Sequence, residues 1–499
     1  MPFGLSMKML KFIAAVALAA GPAVHAQDAP VTEAELASHI RILAGDAFEG
    51  RTPGEAGEDR TIAYVVGEWA KAGLEPVPGS ATPWLQPVPL HHSIPIGEAE
   101  RAAFKVNGRD IALRGVSITG GPPLHDVPAV FVGYGVDGAG RVHADVKDKL
   151  AIMLIGDAPF GNGLPRYRDR RRMLADAGAA AVLVITEDEA SWTQLAKAVR
   201  NRTTVLANAP VAGPRISGFL SPDAADELLA KAGQRGDALR AAAKSPDYRG
   251  LALPVTADLS AVSVAGSFTS HNIVAKLPGA KPDGKVVLFL GHWDHLGLCE
   301  PKEAVDRICN GAVDNASGIA VLIEVAKRLA AGPRPDRDIY FLATTAEEQG
   351  LLGARYFADH PVVPLADITV ALNLDTVAIA PRGAPVATIG RGRPAYDAMV
   401  REVAAKLGRT IDEDGEADAF IQRQDGWALG AKGVVSLMAG GSFSDMARLE
   451  AFLEGDYHGP SDEFSDTMVL GGAAEDADLH VALGRAFADT QRWRGDAAK

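Results

Sequence analysis

Val286-Val287-Leu288-Phe289-Leu290 runs without a break into Gly291-His292-Trp293-Asp294-His295. A short apolar run of this kind reads as a strand covered on both faces, ending where polar residues begin. Downstream, Ile319, Leu322, Ile323, Val325, Ala326 and Leu329 recur at about 3.6 residues and predict a helix over 317–330. Residues 272–277, 338–343 and 369–374 are strand-like too, and a further helix is expected over about 394–407. Buried strands alternating with helices imply a three-layer α/β/α sandwich around a mixed, mostly parallel sheet.

Upstream, 32–75 has a helical pattern. Val31 and Thr32-Glu33-Ala34-Glu35 form a staple and capping-box start, and Gly50-Arg51-Thr52-Pro53-Gly54 breaks the run. From 91 to 262 the texture changes. Runs such as Ala129-Val130-Phe131-Val132 and Leu150-Ala151-Ile152-Met153-Leu154-Ile155 alternate with turn residues and with a helix near Arg171–Ala177. This reads as a small β-rich unit inserted into the larger domain, which is then discontinuous, 27–90 and 263–499.

Residues 1–26 carry Lys8 and Lys11, an apolar run from Phe12 to Ala20, and Val24-His25-Ala26. That pattern is expected to be a removable export signal, too short to span a bilayer. Export implies a periplasmic or secreted protein. The 499 residues include only two cysteines, Cys299 and Cys309. In an oxidising compartment they are expected to form a local disulfide, with two buried thiols as the alternative. The net charge of -13 argues against a nucleic-acid partner. No later segment is apolar enough to predict a membrane span.

The chemistry sits where the strands end. His292 and Asp294 follow the run from Val286 to Leu290. Asp314-Asn315 opens the 317–330 helix, Glu347-Glu348 follows Phe341–Ala346, and Asp375 follows Leu372-Asn373-Leu374. Tyr457-His458 lies near the C-terminus. Ligands of open α/β sheets gather at the carboxyl ends of strands, so these positions can converge. Two imidazoles beside several carboxylates would hold repulsive charge without a cation, and a mixed N/O donor set suits a catalytic zinc. Adjacent carboxylates such as Glu347-Glu348 allow one to hold metal and the other to take a proton from the attacking water.

These motifs, in this order, resemble the co-catalytic di-zinc exopeptidases, a group with secreted bacterial aminopeptidases, glutamate carboxypeptidase and transferrin receptor-like proteins. Leu43-Ala44-Gly45-Asp46-Ala47-Phe48-Glu49-Gly50-Arg51 is similar to that family's N-terminal signature. The resemblance implies two Zn²⁺ per chain: His292 and Asp375 on one, Glu348 and His458 on the other, and Asp314 bridging. It implies Asp294 as the carboxylate orienting His292, Glu347 as general base and then acid, and Tyr457 as an oxyanion stabiliser. A cis Asp314-Asn315 peptide also follows from it. The 91–262 insertion resembles a protease-associated domain. The sequence departs from the family at Arg423-Gln424-Asp425-Gly426-Trp427, where many relatives have Ser-Asp-His-x-x-Phe in the wall of the substrate pocket. The implied activity is hydrolysis of peptide substrates, with an aminopeptidase expected. A carboxypeptidase or dipeptidase, a single-zinc cyclase, and an inactive receptor-like binding protein are the alternatives.

Overall fold

The computed structural model describes residues 29–77, 82–96, 100–156, 159–160, 165–199, 202–208 and 214–494. The expected export signal, 1–26, lies outside the described residues. Among the described residues no helix is long and apolar enough to cross a membrane.

The stretch 286–292 is the centre of the larger sheet. Strand Val286–His292 pairs in parallel with Asp338–Thr344 on one side and Ile368–Asn373 on the other. Ser436–Gly440 continues the parallel set, and Ala387–Ile389 closes that edge antiparallel. On the other side Ser263–Leu277 and Leu85–Pro95 add a long antiparallel ribbon. All seven residues of Val286–His292 are buried, and alternation sends them to two different cores. Val287 and Phe289 face helices Ala56–Lys71, Gly318–Ala331 and Gly471–Ala488. Val286, Leu288 and Leu290 face Leu352–Asp359 and Gly426–Gly430. The architecture is therefore the three-layer α/β/α sandwich with a mixed sheet.

The helices have local causes. Helix Glu33–Leu43 begins at a complete capping box, Thr32 with Glu35, and buries Leu36, Ile40 and Leu43. Gly318–Ala331 buries eleven of its residues, so its apolar pattern covers most of its circumference. The break at 50–54 is a tight turn in which Gly50 takes φ 60° with its Cα facing Cys309 O and Gly297. A Cβ there would lie within 2.8 Å of backbone atoms, so only glycine fits.

Residues 101–260 build a second, eight-stranded sheet with its own two cores. Its centre, from Leu124–Phe131 through Leu150–Leu154 and Ala181–Ile185 to Ile216–Leu220, is parallel. Antiparallel strands flank it on both sides. One strand inside the 91–262 stretch does not belong to this sheet. Thr203–Leu206 pairs with Leu85–Pro95 and so forms an edge of the larger sheet.

Candidate metal centre

Successive strand exits bring the polar residues together. His292 ends its strand, Glu347 and Glu348 follow Asp338–Thr344, and Asp375 follows Ile368–Asn373. Asp314 lies in the wide turn Ala312–Ser317 that opens helix Gly318–Ala331. His458 follows helix Met446–Glu454 with a left-handed φ of 59°. His292 Nε2 lies 3.2 Å from Asp314 Oδ1 and 3.5 Å from Asp375 Oδ1. His458 Nε2 lies 3.3 Å from Asp314 Oδ2 and 2.9 Å from Glu348 Oε2. The two oxygens of one buried carboxylate thus address two imidazoles, each backed by a further carboxylate. Such a donor set, nitrogen and oxygen from five chain segments, suits zinc.

Several residues that the ligand pattern did not single out hold this geometry. Asn315, joined to Asp314 by a cis peptide, donates from Nδ2 to His292 O and Leu374 O. Its Oδ1 accepts from Gly318 N and Thr376 N, so one side chain ties three ligand-bearing segments. Asp462 accepts from Val313 N at 2.8 Å and Asp314 N at 3.1 Å and so links the His458 loop to the bridging position. Arg51, buried, donates to Trp293 O, Leu43 O, Asn310 O and Gly311 O. His295 is fully buried; its Nδ1 donates to Glu348 Oε1 at 2.7 Å, and its Nε2 has no hydrogen-bond partner among the described residues. Only a second histidine three residues after His292 hinted at this role.

Asp294 differs from its expected placement. Its Oδ1 accepts the Glu347 amide at 3.0 Å and stands 3.9 Å from His292 Nδ1. The ring nitrogen donates instead to the Asp294 carbonyl at 3.2 Å. The side chain therefore grips the backbone of the Glu347 turn, while the main chain orients the imidazole. Tyr457 stacks on His458, ring centres 3.7 Å apart. Cys299 and Cys309 are bonded to each other, and Cys309 Sγ lies 3.5 Å from the His458 carbonyl oxygen.

The electrostatics divide the carboxylates into two sets. Burial pushes up Glu347 well above its ordinary range and Asp294 to about 8, with neighbouring negative charges adding to it. Burial also raises Asp425 to about 6, against the hydrogen bond from Thr344. Burial opposes ionisation of Asp314, but its hydrogen bonds to His292 and His458 prevail and hold it well below the usual range. Glu348 likewise overcomes burial and the Asp314 charge, falling to about 2 through His458 and His295. Burial lowers His458, yet Glu348 and Asp314 together carry it up to about 10. The chain alone thus keeps Asp314 and Glu348 anionic and disfavours charge on Glu347.

A cavity of about 480 Å³ opens beside these residues. Phe420, Met438, Phe443, Leu449 and Leu453 give it an apolar wall, and Arg423, Gln424 and Tyr457 contribute polar groups. The Arg423–Trp427 stretch thus lies partly in the pocket wall.

Residues 272–475 match the model of peptidase family M28. The chain is 29% identical over 197 residues to a probable zinc metalloprotease of Leptosphaeria maculans, covering 38% of this chain and 43% of that one. It is 26% identical over 272 residues to aminopeptidase YwaD of Bacillus subtilis, covering 54% and 48%. The match thus spans less than half the length of each of these relatives. The solved aminopeptidase from Aneurinibacillus sp. strain AM-1 has the same fold, with a TM-score of 0.56 at 17% identity over 91% of this chain and 93% of that one.

Proposed function

With residues 272–475 belonging to peptidase family M28, we propose that the chain is a zinc-dependent exopeptidase, and specifically an aminopeptidase, that binds two zinc ions. The observation that carries the reading is Asp314, whose two oxygens face His292 and His458 from opposite ends. His292 and Asp375 would hold one ion, Glu348 and His458 the other, and Asp314 both. Bound there, zinc supplies Lewis acidity toward a substrate carbonyl and toward water.

The rest is the work of the chain. Glu347, half-buried and with its affinity for a proton raised by its surroundings, is the group that, as the carboxylate, accepts a proton from the attacking water and then, as the acid, returns it to the leaving amine. Asp294 holds the turn that aims it. Tyr457, stacked on His458 at the cavity mouth, donates toward the oxygen on which charge develops. The apolar wall suits an aliphatic or aromatic side chain of the peptide. The names of YwaD and of the Aneurinibacillus enzyme support the aminopeptidase assignment. We assign the 101–260 sheet as a protease-associated-like insertion and place the mature protein in the periplasm or outside the cell, in keeping with the Cys299–Cys309 bond.

Two measurements test the proposal. Metal analysis of the purified protein should give about two zincs per chain, as a paired site requires. Glu347→Gln should keep that zinc and lose roughly 10²- to 10⁴-fold in kcat on a dipeptide with a free amine. Wild-type turnover by the variant would remove Glu347 from the mechanism. Cleavage only of N-blocked dipeptides would exclude an aminopeptidase.

A further inference from the structure

Arg423 is the one lysine or arginine among the described residues that lines the cavity beside the metal centre. It is exposed, and its guanidinium packs over the Phe420 ring, Cζ 5.5 Å from the ring centre. Among the described residues it makes no ion pair. Arg391, outside the cavity lining, shows the usual arrangement, with Nε 3.0 Å from Asp418. The cavity carboxylates do not serve Arg423 either: among the described residues none of Asp314, Glu347 and Asp375 pairs with it, and Asp314 and Asp375 face His292. A guanidinium held on an aromatic ring, facing a reaction cavity and lacking a protein anion, is placed to receive an anion from the substrate.

We infer that Arg423 is a specificity-determining residue that binds a carboxylate of the peptide substrate. The inference rests on the peptidase reading above. It narrows the substrate to short peptides that place a carboxylate within the cavity. The carboxylate has two sources, the C-terminus of a dipeptide or an acidic side chain. The neutral face of the peptide meets the apolar wall, and the guanidinium supplies a charge-assisted hydrogen-bond pair at the rim. In an aminopeptidase the same residue would favour dipeptides over longer chains.

The zinc-loaded full chain is assayed on four peptides: leucyl-leucine, leucyl-leucinamide, leucyl-glutamic acid α-amide and leucyl-glutaminamide. The wild type should favour a carboxylate-bearing peptide over its neutral counterpart by about tenfold in kcat/KM, mainly through KM. Arg423→Ala should bring that ratio close to one, and Arg423→Lys should restore part of it. A preference confined to the first pair identifies the C-terminal carboxylate, and one confined to the second pair identifies a side chain. An unchanged ratio in Arg423→Ala, or an equal loss on charged and neutral peptides, overturns the assignment while leaving the peptidase reading intact. Failure of the wild type to cleave any of the four overturns both.

Discussion

Arg51 offers the sharpest test of how the N-terminal signature acts. Its guanidinium is 1% exposed and makes four hydrogen bonds of 2.6–2.9 Å to main-chain carbonyls. The acceptors come from the end of helix Glu33–Leu43, from the residue after His292, and from the pair preceding the Asp314 turn. Burial draws its pKa down to about 10, against Asp462, Asp314, Asp294 and Glu348, so it stays protonated at neutral pH. Arg51→Met keeps the apolar stem and removes every donor. A hydrogen bond from a charged donor contributes roughly 1.5–3 kcal/mol, so four would sum to about 6–12 kcal/mol. Two effects reduce that sum. Water entering the vacated space satisfies some carbonyls, and the buried charge no longer has to be desolvated. The expected loss is about 4 kcal/mol, a large share of the ~5–15 kcal/mol stability of a typical protein. Urea unfolding at constant free zinc, followed by near-ultraviolet circular dichroism, measures it. Zinc affinity should fall as well, because two ligand segments lose their common clamp. A loss below about 1 kcal/mol with unaltered zinc binding would refute the clamp. Full rescue by Arg51→Lys would show that charge, and not the forked geometry, is the contribution.

Three further outcomes follow from the packing and electrostatics. His480 donates from Nδ1 to Asp476 O, its buried Nε2 has no partner among the described residues, and burial pulls its pKa down to about 4. The unfolded chain protonates first as pH falls below about 6.5, so stability drops by roughly 3 kcal/mol down to pH ~4 and then levels; His480→Phe should flatten that part of the urea-midpoint profile if the mechanism is right. Removing bound zinc with a chelator should lower the thermal midpoint, and zinc, not magnesium, should restore it, since the site joins imidazole with carboxylate. Gly484→Ala places a Cβ 2.8 Å from Phe289 Cζ and 3.2 Å from Leu329 Cδ1. Overpacking outweighs the gain in helix propensity there, and a net loss of about 1 kcal/mol should appear in a thermal scan.

The sandwich was legible because its strands are short apolar runs buried on both faces, with His292, Glu348 and Asp375 at or near their ends. His292, Asp314, Glu348, Asp375 and His458 meet as their order along the chain implied. Side-chain partners were less legible. Asp294 was expected to orient His292, yet the carbonyl of the same residue does so, and its carboxylate turns to the Glu347 amide. A residue type does not reveal whether main chain or side chain makes the contact. Asn315 and Asp462 act through hydrogen bonds to backbone atoms of distant segments, for which no periodicity exists. Thr203–Leu206 joins the larger sheet from within a segment of different texture, because pairing with an open edge depends on where the chain passes and hardly on composition.

That contrast separates chemistry from selectivity in this molecule. The proposed ligands His292, Glu348 and Asp375 end or closely follow central strands, where a shift of a few tenths of an ångström would disturb the core, and Asn315, Asp462 and Arg51 bind those exits to the Asp314 turn and the His458 loop. The cavity wall is built differently. Phe420 lies in the short turn Glu416–Phe420, Arg423 in the irregular stretch after it, and Phe443 in Ser442–Ser444. Leu449 and Leu453 come from the short helix Met446–Glu454. Of the apolar wall only Met438, in Ser436–Gly440, comes from the parallel strands, so substitutions at Phe420, Arg423 or Phe443 alter the shape and charge of the cavity without touching a strand that carries a proposed ligand. Enzymes that share the centre can therefore differ in what they cleave. Position 423 is where that freedom is most consequential, since its cation changes the charge of the substrate the cavity accepts.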